Sequence, residues 1–262
     1  MSIFRNKMED SLNGSRKRRG SSRYYLFFLI CLVALGALGT GMYLLLLNVS
    51  WFDLREVQLQ GNVSVADSLI HNITRPYLGQ NLLRISKRGI SGEVLEFARI
   101  KNVKIRRRLL HTLSIQILER KGLIYLKSTS GDLFPIDEEA VVLERYGSVY
   151  TEDLPILSTY LDNSGLKAGT QLDKPYIKSA LQLHKRIQKE AADFLPLVSE
   201  YYVIDSLVYI VDARYGTRII PSTQNLAKQF KRYQFVQDNG NINRNSVVDL
   251  RFDNQVVVKA GN

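Results

Sequence analysis

The stretch Tyr24–Leu47, YYLFFLICLVALGALGTGMYLLLL, holds no acidic, basic, histidine or side-chain amide residue. As a helix its 24 residues would extend about 36 Å, against a hydrocarbon core of about 30 Å. Lipid offers no partner to a free backbone amide, so a single segment crosses it as a helix. A secretory signal peptide is the rival reading. It would carry a shorter apolar run ending in a small-x-small cleavage site. Here the run passes into Asn48-Val49-Ser50-Trp51, which offers no such site, and the segment reads as an uncleaved anchor.

The flanks orient it. Residues 1–23 carry Arg5, Lys7, Arg16, Lys17, Arg18, Arg19 and Arg23 against Glu9 and Asp10, and basic residues beside a span stay on the cytoplasmic side. Trp51 and Phe52 follow the span, where aromatic rings favour the interface. The expectation is a single-pass type II membrane protein, with residues 1–23 a disordered cytoplasmic tail and residues 48–262 outside. About half of the net charge of +11 belongs to the tail. The modest positive excess of the exported part fits proximity to anionic lipid better than nucleic-acid recognition. The single cysteine, Cys31, lies inside the span, so the exported part relies on a hydrophobic core rather than disulfides.

After the span, Leu54–Gln60 alternates and stops at Gly61-Asn62, as a strand ending in a turn does. Ser64 opens a helix striped by Val65, Leu69, Ile73 and Tyr77, and Ser86 caps a second helix bearing Ile90, Val94 and Phe97. Two strands follow, one with Val103 and Ile105 inward, the other with Leu113, Ile115 and Ile117 inward; Leu109–Thr112 is the turn between them. Residues 52–121 thus read strand–helix–helix–strand–strand, a small α+β domain. Residues 122–262 are richer in strands. Leu123–Lys127 and Leu133–Ile136 flank the hairpin signal Ser130-Gly131-Asp132, and Val141–Leu143 is a further candidate. Asp173 and Pro175 begin a helix with Ile177, Leu181, His184, Ile187 and Ala191 on one side. Val198–Ile204, Leu207–Val211 and Arg218–Ile220 read as strands, Ser222 as the cap of a helix bearing Leu226, Phe230 and Tyr233, and Ser246–Phe252 and Gln255–Lys259 as final strands.

Catalytic chemistry finds little footing. His71, His111 and His184 are scattered, and no metal-spaced cluster, nucleophile elbow or phosphate loop occurs. No catalytic, metal or cofactor residue is expected, and no nucleic acid or small-molecule substrate. His184 reads as a satisfied core histidine, and Asp137-Glu138-Glu139 as a solvated turn. Lys104, Arg106, Arg107 and Arg108 form the densest exported basic cluster, which could face lipid headgroups, an acidic partner or only water. The run Val256-Val257-Val258 is either an exposed edge open to another chain or a central strand buried on both faces.

Several of these segments together resemble the FtsQ/DivIB family of bacterial cell-division proteins. They are Phe52-x-x-x-x-Val57-x-x-x-Gly61-Asn62, Asn81-Leu82-Leu83-x-Ile85, Val103-x-Ile105-x-Arg107, Leu113-x-Ile115-x-Ile117-x-Glu119-Arg120, and Val248-Asp249-Leu250-Arg251-Phe252 with Val256–Lys259. The resemblance implies a basic tail (1–23), a transmembrane helix (24–47), a POTRA domain (52–121) and a β domain (122–262). It implies a non-enzymatic divisome scaffold at the division septum that docks small bitopic partners of the FtsB/FtsL type through the last strands. By position, the implied partner-binding residues are Phe252, Asn254, Gln255, Val256, Val257, Val258 and Lys259. One departure stands out: the family usually has Pro before the position of His111, and this chain has Leu110. The alternatives are a POTRA-type anchored chaperone for exported or outer-membrane proteins and an anchored enzyme.

Overall fold

The computed structural model describes residues 21–108, 110–145, 153–240, 242–253 and 255–260. The tail ahead of Ser21, Leu109 of the expected turn and Asn254 of the expected docking strand lie outside these. The apolar run forms helix α1 (Ser21–Leu46), and Arg23–Leu46 is long and apolar enough to cross a membrane, with none of that window buried in the protein. The chain beyond the helix is fastened to its end. Asn81 donates from Nδ2 to the Leu46 carbonyl at 3.0 Å, and Arg84 donates to Asn48 Oδ1 at 2.9 Å.

The next elements are β1 (Glu56–Gln60), α2 (Asp67–Thr74), α3 (Lys87–Leu95), β2 (Ile100–Arg108) and β3 (Thr112–Glu119), in the expected order. They build a three-stranded sheet, β1-β3-β2, with β3 parallel to β1 and antiparallel to β2. Alternation along β3 sends Leu113, Ile115 and Ile117 into a core shared with Ile70, Ile90 and Val94 of the helices, as a sheet covered on one face requires. Ser86 caps α3 as expected, accepting from the Gly89 amide at 3.2 Å.

The entry to α2 differs from expectation. Ser64 is no cap; the helix begins at Asp67, and the amides of Val63, Ser64 and Val65 donate to the Glu119 carboxylate at 2.8 to 3.1 Å. The later start centres the buried face on Ile70 and Thr74, with Leu69, Ile73 and Tyr77 half-buried beside it. Gly61 needs to be glycine: its φ is +87°, and a Cβ there would collide with the Ile117 carbonyl oxygen. The β2–β3 turn holds Leu110 at φ +72°, which proline, fixed near −65°, cannot adopt. The missing proline therefore marks a different turn, not a looser version of the same one.

The remaining strands are β4 (Ile124–Lys127), β5 (Leu133–Ile136), β6 (Ile156–Ser158), β7 (Val198–Ile204), β8 (Leu207–Asp212), β9 (Arg218–Ile220), β10 (Val247–Asp249) and β11 (Val257–Lys259), with helix α4 (Pro175–Glu190) before β7 and α5 (Leu226–Asn239) after β9. They form one eight-stranded sheet ordered β11-β10-β9-β8-β7-β6-β4-β5. A single apolar cluster joins the strands to both helices through Leu126, Leu157, Leu181, Tyr201, Phe230 and Val248. Phe194 stacks on Phe230 at 3.9 Å between centroids and meets Tyr233 edge-on at 6.0 Å, geometries aromatic pairs favour.

Three local expectations are corrected. Val141–Leu143 makes only isolated bridges, to Ile136 and Gln171. Ser222 accepts from the Gln224 amide in a turn of its own, and α5 starts after Asn225 in the left-handed region at φ +50°. The stretch Ser246–Phe252 keeps only three strand residues, because Asp249 draws Arg251 back onto itself and turns the chain. Strand β6, between β4 and β7, was not foreseen.

Candidate functional site

The two ends of the eight-stranded sheet differ. At β5 the next chain segment covers the edge: Ile136 bridges Val142, and the Leu143 amide donates to the Pro135 carbonyl at 2.8 Å. At the opposite end, among the described residues, β11 pairs only with β10, antiparallel, with Val247 opposite Lys259, Val248 opposite Val258 and Asp249 opposite Val257. The alternative the sequence left open is thus decided for an edge strand.

The register also decides which groups face outward. Leu250 donates its amide to the Ile220 carbonyl on the β9 side. Along a strand successive residues aim their amide and carbonyl to opposite sides, so Val247 and Asp249 aim theirs at β11. Val257 and Lys259 answer them, and the amide and carbonyl of Val258 point to the open edge. The Val258 side chain shares a sheet face with buried Val248 yet is 43% exposed.

On that face α5 and the strand leave a groove of about 710 Å³, lined by Lys228, Lys231, Arg232, Phe235, Gln255 and Val256 among others. Phe235 is 68% exposed and Phe252 43%. Arg232 donates to the Asp253 carbonyl, tying the turn before β11 to α5. Of the expected partner-binding residues, Gln255 and Val256 line the groove, Val257 faces β10 with its backbone, Val258 and Lys259 lie on the exposed edge, and Phe252 stands at the turn. The contributions of α5, three cations and an aromatic ring at helical spacing, were not foreseen. Their spacing was visible as Lys228, Lys231, Arg232 and Phe235, but the helix was read only for its buried side.

A second constellation corrects the reading of Asp137-Glu138-Glu139 as a solvated turn at its first residue: Glu138 and Glu139 are exposed in a turn as expected, but Asp137 is not. Asp137 is buried, accepts from the Glu139 and Val141 amides at 2.8 and 2.9 Å, and pairs with Arg120 Nη1 at 2.5 Å. Glu139 takes the same Arg120 nitrogen at 2.7 Å and Lys101 at 3.0 Å; Glu138 takes Lys101 at 2.8 Å. Nearby, Glu144 accepts from the Ala98 and Arg99 amides at 2.5 and 2.8 Å. Carboxylates from residues 137–144 thus meet donors from residues 98–101 and 120. Lys101 and Arg120 hold the Glu138 and Glu139 carboxyls below their ordinary range. Glu119, next to Arg120 but aimed the other way, is raised by burial and lowered by its three amide bonds, which prevail.

His184 meets the expectation of a satisfied core histidine: it is buried, with Nδ1 3.0 Å from the Tyr201 hydroxyl, and burial lowers its pKa to about 4. Among the described residues no group of three or more His, Cys, Asp or Glu is placed to hold a metal ion.

The fold and this edge define a class: an apolar N-terminal helix long enough to cross a membrane, a strand–helix–helix–strand–strand unit of the POTRA kind, and a larger sheet with one open end. Residues 52–120 match the family profile of the POTRA domain, FtsQ-type. The chain is 28% identical to the cell division protein DivIB of Clostridium acetobutylicum over 129 residues, 49% of this chain and 51% of that one. It is 28% identical to DivIB of Clostridium botulinum strain Hall over 101 residues and 27% identical to that of strain Loch Maree, in each case across 38% of this chain and 39% of the relative. Residues 52–120 are thus a POTRA domain of the FtsQ type, and the chain is similar to DivIB cell division proteins, its matches spanning about half or less of the length of these curated relatives.

Proposed function

We propose that this protein is a non-enzymatic scaffold of bacterial cell division, anchored by α1 with its basic tail in the cytoplasm and its two sheets outside, at the septum. Its docking element is the β11 edge, which accepts a strand from a small bitopic partner of the FtsB/FtsL type. The observation that carries this reading is the open end of the eight-stranded sheet. The Val258 amide and carbonyl are free to pair with an incoming strand, and the α5 groove lies alongside to receive alternate side chains. The DivIB relatives, named as cell division proteins, supply the cellular setting. In this reading residues 52–121 hold the sheet at a set position from the bilayer, and residues 122–262 present the edge.

The test follows from the register. Proline at Val257 would break the pairing with Asp249 inside the protein, whereas proline at Val258 removes an amide from the outer side only. Val258→Pro is expected to weaken partner capture on the order of tenfold or more, leaving thermal melting unchanged, while Val258→Ala changes it little. Unchanged capture by Val258→Pro overturns the docking edge. Depletion in cells is expected to give filaments with stalled septa; a defect in envelope assembly without filaments would favour a chaperone instead.

A further inference from the structure

The basic cluster on β2 has a definite place relative to the anchor. The amides of Arg55 and Glu56 donate to the His111 carbonyl at 2.9 and 3.3 Å, and β1 then runs beside β3 from Glu56 opposite Thr112. The β2–β3 turn therefore lies level with the first residues after α1. Arg107 of the cluster donates to the Ile85 carbonyl at 2.9 Å, and Arg84, bonded to Asn48, brings a further cation to this end of the unit. Around the turn Arg55, Arg84, Arg106, Arg107 and Arg108 are exposed, against the acidic residues Asp53 and Glu56. At the tip Leu110 is 47% exposed while occupying the left-handed region, and Trp51 beside the anchor is 71% exposed.

An exposed leucine at the tip of a turn flanked by exposed arginines, at the level where an apolar helix ends, has the chemistry of a headgroup contact: guanidinium groups pair with phosphates, and the leucine reaches the acyl boundary. We propose that the β2–β3 turn seats on the bilayer that α1 crosses, with Arg106 and Arg108 binding anionic phospholipid headgroups and Leu110 entering the interface. The seat adds to the single helix a second point of attachment, fixing the tilt of the unit over the membrane. Distance grades the contributions. Arg106 lies about 7 Å and Lys104 about 13 Å along the strand from Arg108, and a surface field falls off within about 8–10 Å at physiological salt. Arg106 and Arg108 act, and Lys104 contributes little.

The inference rests on α1 spanning the bilayer, which is checked separately by flotation of the full chain with liposomes. In a Cys31→Ser background, Leu110→Cys carries an environment-sensitive fluorophore, and the full chain is reconstituted into bilayers of phosphatidylcholine alone or with phosphatidylglycerol. With flotation equal in both, the probe is expected to enter an apolar environment only in the anionic bilayer and to leave it in high salt. Arg106→Gln with Arg108→Gln is expected to shift the seated population on the order of thirtyfold toward the lifted state, and Lys104→Gln far less. A probe reading that is the same in both bilayers, or a Lys104→Gln effect equal to that of the arginine pair, overturns the proposal; the first result would leave the cluster to an acidic protein or to water.

Discussion

Removing the Asp137 side chain tests the contact between the two sheets most directly. Asp137→Ala leaves the buried Val141 amide without its acceptor, at a cost of about 1–3 kcal/mol. It also removes one of the two carboxylates on Arg120. Breaking a fully buried pair costs about 3–5 kcal/mol, but Arg120 is 17% exposed and keeps Glu139, so about 1 kcal/mol is the fair share. The expected loss is about 2–4 kcal/mol, a fall in Tm of roughly 4–16 °C at this size. Asp137→Asn keeps a carbonyl oxygen for the amides and should lose only the charged part, about 1 kcal/mol. The assay is urea and thermal unfolding of the chain from Ser50 onward, followed by circular dichroism. Equal effects of alanine and asparagine would refute the amide part of the reasoning. A loss below about 0.5 kcal/mol for alanine would refute the contact itself.

Gly61→Ala should destabilise by about 3 kcal/mol or more, since it adds a clash with the Ile117 carbonyl to the strain of a positive φ; denaturant titration reads this. Leu110→Gly should gain roughly 0.5–1 kcal/mol by relieving the left-handed residue, whereas Leu110→Pro should lose stability because φ +72° is closed to proline; paired thermal melts distinguish them. The unfolded chain protonates His184 near pH 6.5 while the folded chain resists until about 4. Its stabilising share is therefore whole above pH 6.5 and shrinks as pH falls, by about 2 kcal/mol at pH 5. His184→Asn should flatten the slope of Tm between pH 7 and 5.

What could be read from the sequence was local. Alternation in Leu113–Ile117, the Ser130-Gly131-Asp132 turn, Pro175 at a helix start and the valine-, tyrosine- and isoleucine-rich run Val198–Ile204 each depend on neighbours within a few positions, and the structure places elements there. What escaped depends on distant partners. Asp137-Glu138-Glu139 looks like a solvated turn until Lys101 and Arg120 arrive from another sheet. Glu119 gives no sign in sequence that it replaces Ser64 as the acceptor for the α2 entry. Strand β6 has only three residues, too few for a period to register, yet it joins β4 to β7. The edge position of β11 is a property of sheet order, and the Val258 carbonyl and amide acquire their meaning only from the register with β10.

Sheet order also gives the molecule a mechanical character. From β4, beside the Asp137 contact, to β11 is six strand spacings of about 4.8 Å, or roughly 29 Å. A load applied at β11 would act through an arm of that length and return to the end of α1 through Arg120, β3 and Asn81 on the Leu46 carbonyl. The arm has two thin places. The register holds only two residue pairs at β6–β7, Ile156 with Glu200 and Leu157 with Tyr201, supported by the Ser158 hydroxyl on Glu200 at 2.6 Å, and only two at β8–β9, Ile210 with Ile219 and Val211 with Arg218. Tension directed across the strands would open one of these seams before it disturbed the longer β7–β8 pairing.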